Sequence, residues 1–213
     1  VDTALSPHEF LEKENSEPIT EEEKHIAEER SLQALLKIIE KRPNEHAALI
    51  IEPLVQAAGG MKFHSTAYLQ KIREICNHFD IFLIADEVFT GFGRTGTNFA
   101  CTQASIVPDM ICLSKGLTGG FMPMGLTFTT QEVYNAFYDD SRLKTFFHGH
   151  SYTGNSLSCA AALASLELFE NEKRLDDVKF INLKMNSKLL TREMLNLSVV
   201  KDIRIIGALG VIE

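Results

Sequence analysis

Two short runs, Ile81-Phe82-Leu83-Ile84-Ala85 and Met110-Ile111-Cys112-Leu113, offer no polar residue to turn toward water on either face. Runs this short and apolar throughout read as strands covered on both sides, the condition met where helices pack on a mainly parallel sheet. The first run ends in Asp86-Glu87-Val88. The second passes through Ser114 into Lys115-Gly116-Leu117-Thr118-Gly119-Gly120. A carboxylate and an amine thus stand at the ends of two strands expected to be neighbours, on the edge where open α/β sheets bind ligands.

The rest of the chain supplies the covering layers. Thr20 with Glu23 forms a capping-box pattern, and residues 20–42 carry Ile26, Leu32, Leu35, Leu36 and Ile39 on one helical face. Residues 47–51 read as a buried strand stopped by Glu52-Pro53, Gly59-Gly60 marks a turn, and Leu69, Ile72, Ile75 and Cys76 predict a helix over 68–79. After a loop over 90–108 and the second apolar run, a strand is expected at 126–129. Thr130 then caps a helix to 137, further helices follow over 156–170 and 172–197, and residues 207–213 read as the entry into another strand. Strands alternating with helices predict an α/β domain, a mainly parallel sheet flanked by helices. There is no internal repeat and no low-complexity segment.

Composition narrows the function classes. The 213 residues are 45% hydrophobic and 23% charged, ordinary for a globular chain. A net charge of −8 with no basic tract argues against a nucleic-acid surface, so no nucleic-acid partner is expected. No apolar run approaches the ~20 residues that span a bilayer, so no membrane partner is expected either. Cys76, Cys101, Cys112 and Cys159 have neither disulfide-framework nor zinc spacing and read as buried reduced thiols, which suits the cytoplasm. The polar, acidic first residues fit neither a secretory nor a mitochondrial leader. Both ends read as cut from a longer chain, because the first residue is not Met and the last ones open a strand.

Four motifs bear on chemistry. A lysine after a strand is usually a solvated loop residue, but Lys115 precedes Gly116, Gly119 and Gly120, which permit close backbone approach to a ligand. With Asp86 on the neighbouring strand, this is the arrangement expected around a pyridoxal phosphate ring. Lysine forms the Schiff base, and the carboxylate keeps the ring nitrogen protonated so that the ring serves as an electron sink. The rival for Asp86-Glu87 is a magnesium-holding Walker-B pair, which needs a GxxxxGK[ST] loop that this sequence lacks; the plainer alternative is a carboxylate capping a turn. Gly91-Phe92-Gly93-Arg94-Thr95-Gly96 matches GxGxxG without the helix and following acid of a dinucleotide site, so it is read as a flexible glycine loop beside the site. His148 and His150 lack a third ligand for a metal, so no metal is expected. Their loop, leading into a helix, suits a phosphate, with a plain capped turn as the alternative.

Ile84-Ala85-Asp86-Glu87-Val88-Phe89-Thr90-Gly91-Phe92-Gly93-Arg94-Thr95-Gly96, continued by Ser114-Lys115-Gly116-Leu117-Thr118-Gly119-Gly120, resembles the signature of class III pyridoxal-phosphate-dependent aminotransferases. Within the class, Phe147-His148-Gly149-His150-Ser151-Tyr152-Thr153-Gly154-Asn155, together with Glu52-Pro53-Leu54-Val55-Gln56 and Gly59-Gly60-Met61, is most similar to the branch that forms diaminopelargonate in biotin synthesis. The similarity runs from about Ala47 to the C-terminus.

The resemblance implies the large-domain part of the fold-type I transferase fold. Residues 1–197 would form the cofactor-binding large domain, with 1–18 a polar loop, and 198–213 the start of a small domain. It implies pyridoxal 5'-phosphate as cofactor, Lys115 as the Schiff-base and catalytic residue, Asp86 at the ring nitrogen and Val88 against the ring. His150 and Ser151 would lie at the phosphate across a homodimer interface, and Gly149, with Lys115, where substrate approaches. His150 departs from the family's usual Pro or Ser, whereas Ser151 keeps the hydroxyl. It implies S-adenosylmethionine as amino donor and the keto acid precursor of diaminopelargonate as acceptor. It places a second phosphate loop, a stacking aromatic and a carboxylate-binding arginine in parts of the family outside these residues. Two alternatives remain at this point: a class III enzyme acting on an ω-amino acid, and an incomplete domain that only binds.

Overall fold

The computed structural model describes residues 1–11 and 20–213, so the polar loop expected over 1–18 lies partly outside the described residues. The described chain contains helices α1 (Glu21–Lys41), α2 (Thr66–His78), α3 (Ala100–Gln103), α4 (Gln131–Phe137), α5 (Ser156–Asn171), α6 (Arg174–Leu189) and α7 (Arg192–Leu195). Its strands are β1 (Ala48–Ile51), β2 (Val55–Gln56), β3 (Lys62–Phe63), β4 (Phe82–Asp86), β5 (Met110–Leu113), β6 (Leu126–Thr129), β7 (Ile203–Ile206) and β8 (Leu209–Ile212).

The main sheet has the order β1-β4-β5-β6, with β1, β4 and β5 parallel and β6 antiparallel to β5. The α/β class read from the sequence is the one found. The reversal of β6 was not foreseen, nor was the small hairpin β2–β3, and residues 203–212 form a hairpin rather than one strand. The long helical region expected over 172–197 is broken after Leu190. There Thr191 accepts the Met194 amide at 3.2 Å and starts α7, the role its short hydroxyl favours over a helix interior.

Helix α1 begins with the expected capping box: Thr20 Oγ1 accepts the Glu23 amide and the Glu23 carboxylate accepts the Thr20 amide. Its inner face, Leu32, Leu35 and Ile39, meets Tyr68, Ile72 and Cys76 of α2 over Leu83 of β4. The buried Glu28 carboxylate fixes the two helices to one another by accepting both the amide and the hydroxyl of Ser65, the N-cap of α2, at 2.6 and 2.7 Å. Strand alternation puts Leu83 and Ala85 on this covered side. The other side carries Ile50, Ile84, Asp86, Met110 and Cys112 in register, and it is open: Ile50 is 65% exposed. Cys76 and Cys101 are buried free thiols as expected, whereas Cys112 and Cys159 are only half-buried, because each lies on a surface this chain does not cover. Burial pushes the Cys76 thiol up to about 11. Burial and the adjoining Glu87 carboxylate push Cys101 up further. Among the described residues, no helix is long and apolar enough to cross a membrane.

The segment between β4 and α3 is irregular yet fixed from within. Glu87 is fully buried, and its carboxylate accepts the Thr90 hydroxyl at 2.6 Å and the Ala100 and Cys101 amides at 2.9 and 2.8 Å. Those amides open α3, where helix N–H groups have no intrahelical acceptor. Glu87→Ala strands three donors in the interior. Urea denaturation should show a loss of roughly 3–5 kcal/mol, the range for breaking a buried charged network.

A second stability effect depends on pH. His64 binds the Glu52 carbonyl through Nε2 at 3.0 Å, while its Nδ1 is shut from water with no hydrogen-bond partner among the described residues. Burial pushes its pKa below the ordinary 6.5. Below pH 6.5 the unfolded chain therefore binds a proton that the folded chain resists. Stability from this group is complete above that pH and is lost as the pH falls through the folded value. Urea midpoints should drop between pH 7 and pH 5, and His64→Asn should make the drop shallower.

Candidate active site

Asp86 ends β4 beside Cys112 of β5. Its Oδ1 accepts the Val88 amide at 3.1 Å, a turn that half-buries Val88, and its Oδ2 has no partner among the described residues. On the adjoining strand the chain passes through Ser114, whose hydroxyl donates to the Met124 carbonyl at 2.6 Å. It then enters a 3-10 turn, Lys115–Thr118. Lys115 has φ +42°, in the left-handed region, which costs an L-residue ~1–2 kcal/mol. The turn is held by Leu117 N–H donating to Ser114 O and by Ser165 of α5, whose hydroxyl donates to the Gly116 carbonyl at 3.4 Å. Close approach explains Gly116: a Cβ there would stand 2.8 Å from Phe92 Cβ.

Lys115 forms no ion pair among the described residues. Its Nζ lies 5.1 Å from the centroid of the Phe89 ring, and the Arg94 guanidinium carbon lies 4.7 Å from the same centroid. One aromatic quadrupole thus serves two cations. Arg94 Nε is buried with no hydrogen-bond partner among the described residues.

The loop read as phosphate-binding stands apart. Gly149, His150 and Ser151 are exposed, and a Cβ on Gly149 would meet nothing within 4 Å. The loop is closed on itself: the His150 amide donates to Thr153 Oγ1, and His150 Nδ1 accepts the Tyr152 amide, both at 3.1 Å. The Ser151 hydroxyl has no partner among the described residues. The first amides of α5 are not vacant, because Asn155 Oδ1 accepts Leu157 N–H and Ser158 N–H. Any anion there would therefore rely on the loop's side chains rather than on those helix amides. The structure brings Asp86, Val88 and Lys115 to one edge of the sheet. No hydrogen bond among the described residues ties Gly149, His150 or Ser151 to them.

A cavity of about 730 Å³ runs along the free edge of β1 beneath the first eight residues, with Asp86, Glu52, Gln56 and His64 in its wall; Lys115 is not part of that wall. Among the described residues, no three His, Cys, Asp or Glu side chains are grouped to hold a metal ion.

The sequence reading missed the roles of Glu87, Phe89 and Arg94, and it described residues 91–96 as a flexible glycine loop. The loop is instead gripped. A Cβ on Gly93 would come 3.0 Å from the Phe169 ring, and Thr95 is buried, its carbonyl accepting Gln103 Nε2 at 2.6 Å. The available signal was that the GxGxxG match sat between an acid with a buried task and a short helix needing a cap.

The aminotransferase class-III family model matches residues 3–213. The adenosylmethionine-8-amino-7-oxononanoate aminotransferase of Geobacter sulfurreducens is 47% identical over 183 residues, 85% of this chain and 40% of the relative. The protein of the same name from Synechococcus elongatus is 57% identical over 122 residues, 57% of this chain and 29% of the relative. The solved structure of the adenosylmethionine-8-amino-7-oxononanoate aminotransferase from Methanocaldococcus jannaschii superposes with a TM-score of 0.79 at 38% identity, covering 86% of this chain and 42% of that one. The chain thus spans well under half the length of these relatives. Class III aminotransferases depend on pyridoxal phosphate. With a match over nearly its whole length, and with the motif lysine and aspartate side by side on the sheet edge, the chain belongs to the aminotransferase class-III family.

Proposed function

We propose that this chain forms the cofactor-holding centre of a pyridoxal-phosphate-dependent aminotransferase of biotin synthesis. In the whole protein it transfers an amino group from S-adenosylmethionine to 8-amino-7-oxononanoate, giving 7,8-diaminopelargonate. The observation that carries the reading is a carboxylate oxygen, Asp86 Oδ2, and an amine, Lys115 Nζ, both without a polar partner among the described residues, at the ends of adjacent parallel strands. An oxygen acceptor for a ring N–H and an amine for an aldehyde are the two groups this cofactor requires, so the residues fit it. The names of the relatives supply the substrates.

When bound, the cofactor offers a protonated ring that withdraws electrons from the substrate's α-carbon. Asp86 Oδ2 holds the proton at the ring nitrogen, and Oδ1, fixed by the Val88 amide, keeps the carboxylate from turning away. Val88 would pack against the ring face. Lys115 Nζ would hold the cofactor and, as a free amine, would move the donor's α-proton as general base. The left-handed turn at Lys115 and the Phe89 ring beneath Nζ limit where that amine travels. Ser151 Oγ would donate to the phosphate, His150 would join it through its side chain, whose Nδ1 alone is taken by the Tyr152 amide, and Gly149 would leave room for substrate.

Gly149, His150 and Ser151 are exposed and no hydrogen bond among the described residues ties them to the Lys115 edge, which supports their acting on the site of a second subunit, the whole protein being a homodimer with shared sites. Residues 1–197 form the large domain, and the hairpin β7–β8 begins the small one. A biosynthetic enzyme with free thiols and small-molecule substrates fits the cytoplasm.

Borohydride reduction of the whole protein with pyridoxal phosphate, followed by peptide mapping, should place the label on Lys115. Label on another lysine with Lys115 unmodified ends the proposal, and Lys115→Ala should abolish both label and transamination. Separately, Ser151→Ala should weaken cofactor binding by roughly 1–3 kcal/mol, the range for a charge-assisted hydrogen bond. An unchanged dissociation constant rejects that assignment.

A further inference from the structure

One face of α5 meets both loops that flank Lys115. Ser158, Ala162, Ser165 and Phe169 fall at i, i+4, i+7 and i+11, the spacing that lines up side chains along one side of a helix. Ser158 donates its hydroxyl to the Pro123 carbonyl at 3.2 Å, and Ser165 donates to the Gly116 carbonyl at 3.4 Å. Ala162 between them is buried. Phe169 closes on Gly93 of the glycine loop. The β7–β8 turn grips that loop as well, since a Cβ on Gly207 would overlap backbone atoms of Arg94, Thr95 and Gly96.

The residue after the lysine is thus clamped between two elements. The Gly116 carbonyl accepts the Ser165 hydroxyl together with the Gly119 amide, the latter at 3.1 Å, and Phe92 stands where a Gly116 side chain would be. Ser165 Oγ also lies 3.5 Å from the place of a Gly119 Cβ, so the hydroxyl sits against both glycines of the turn. Lys115 and Gly119 hold φ of +42° and +59° there. Glycine adopts that region freely, whereas in lysine the Cβ crowds the following carbonyl, so Lys115 stays only if its surroundings hold it. Among the described residues, Ser165 is the side chain that hydrogen-bonds the backbone of residues 115–118 from another element.

We infer that Ser165 is a positioning residue for Lys115: its hydroxyl, delivered by α5, holds the left-handed turn that aims the lysine amine at the cofactor. This rests on the reading of Lys115 as the amine that takes the cofactor. Without the hydroxyl, Lys115 relaxes toward negative φ. That redirects its Cα–Cβ bond and swings Nζ, at the end of a long side chain, away from the strand-end edge it shares with Asp86. Asp86 is untouched by the change, because the Val88 amide fixes its carboxylate on the neighbouring strand. Loss of the hydroxyl therefore weakens what the lysine does and spares what Asp86 does.

Two ligands separate these contributions. Pyridoxal phosphate carries an aldehyde, which condenses with the lysine amine and releases one water. Pyridoxamine phosphate has the same ring and phosphate with an amine in that place, so it cannot condense. Dissociation constants for both are measured by equilibrium dialysis on the whole protein stripped of cofactor. Ser165→Ala suits a helix better than serine, so α5 is retained. It should weaken binding of pyridoxal phosphate at least fivefold and leave that of pyridoxamine phosphate within twofold. Added to Lys115→Ala, the same substitution should change neither constant, because no lysine remains to be aimed. Equal weakening of both ligands in Ser165→Ala, no change in either, or a further fivefold fall on the Lys115→Ala background would each overturn the assignment. If Lys115→Ala by itself leaves pyridoxal phosphate binding unchanged, the reading of Lys115 fails and this inference goes with it. A fall in Lys115→Ala without one in Ser165→Ala sinks the role of Ser165 alone.

Discussion

Everything near Lys115 depends on a carboxylate that faces no ligand. Glu87 follows Asp86 directly, so strand alternation sends it to the opposite side, into the interior. A buried charge there is tolerated only because three donors converge on it, two of them helix amides that otherwise lack acceptors. In satisfying itself, Glu87 gathers the chain from Thr90 to Cys101 into a fixed loop, and that loop carries Phe89, Phe92 and Arg94 to the lysine. The adjacent acids thus divide the labour: Asp86 presents an oxygen outward, and Glu87 builds the wall that keeps the opposing amine in place.

The remaining structure divides into a closed side and an open one. On the closed side, α1 and α2 bury Leu35, Ile72 and Leu83, and Glu28 ties the helices to one another. On the open side, Ile50 and Phe82 face solvent, and among the described residues β1 and β6 each have one edge without a strand neighbour. Asp86 Oδ2 and Lys115 Nζ, without a polar partner among the described residues, lie at the strand ends between these two sides.

Much of this was legible in the residues because the deciding forces were local. The capping box of Thr20 and Glu23, the Thr130 cap and the apolar run that became β4 each carry their structure in a few neighbouring side chains. Asp86 and Lys115 were legible for the same reason, each being a strand end followed by turn residues. What escaped was non-local. Nothing near Gly207 announces that its missing side chain serves Arg94, more than a hundred positions earlier. Glycine permits flexibility and close packing alike, so the sequence of the glycine loop fits either, and only the Phe169 ring and the hairpin turn decide between them. The reversal of β6 was likewise invisible, since a short apolar strand has no intrinsic direction.

That reversal has a consequence for how the chain tolerates change. Because β6 runs back along β5, with Leu113 opposite Leu126, the segment between them must cover a fixed gap with a fixed number of residues. Its two arms are stitched by Ser114 to Met124 and by Thr118 to Met122. Adding or removing one residue shifts the register of β6 by one and turns Phe128 to the other face of the sheet. Here chain length is as much a constraint as residue identity: the lysine sits inside a stretch of ruler, and the freedom to lengthen belongs to the exposed loop at residues 138–155, where no strand counts the residues.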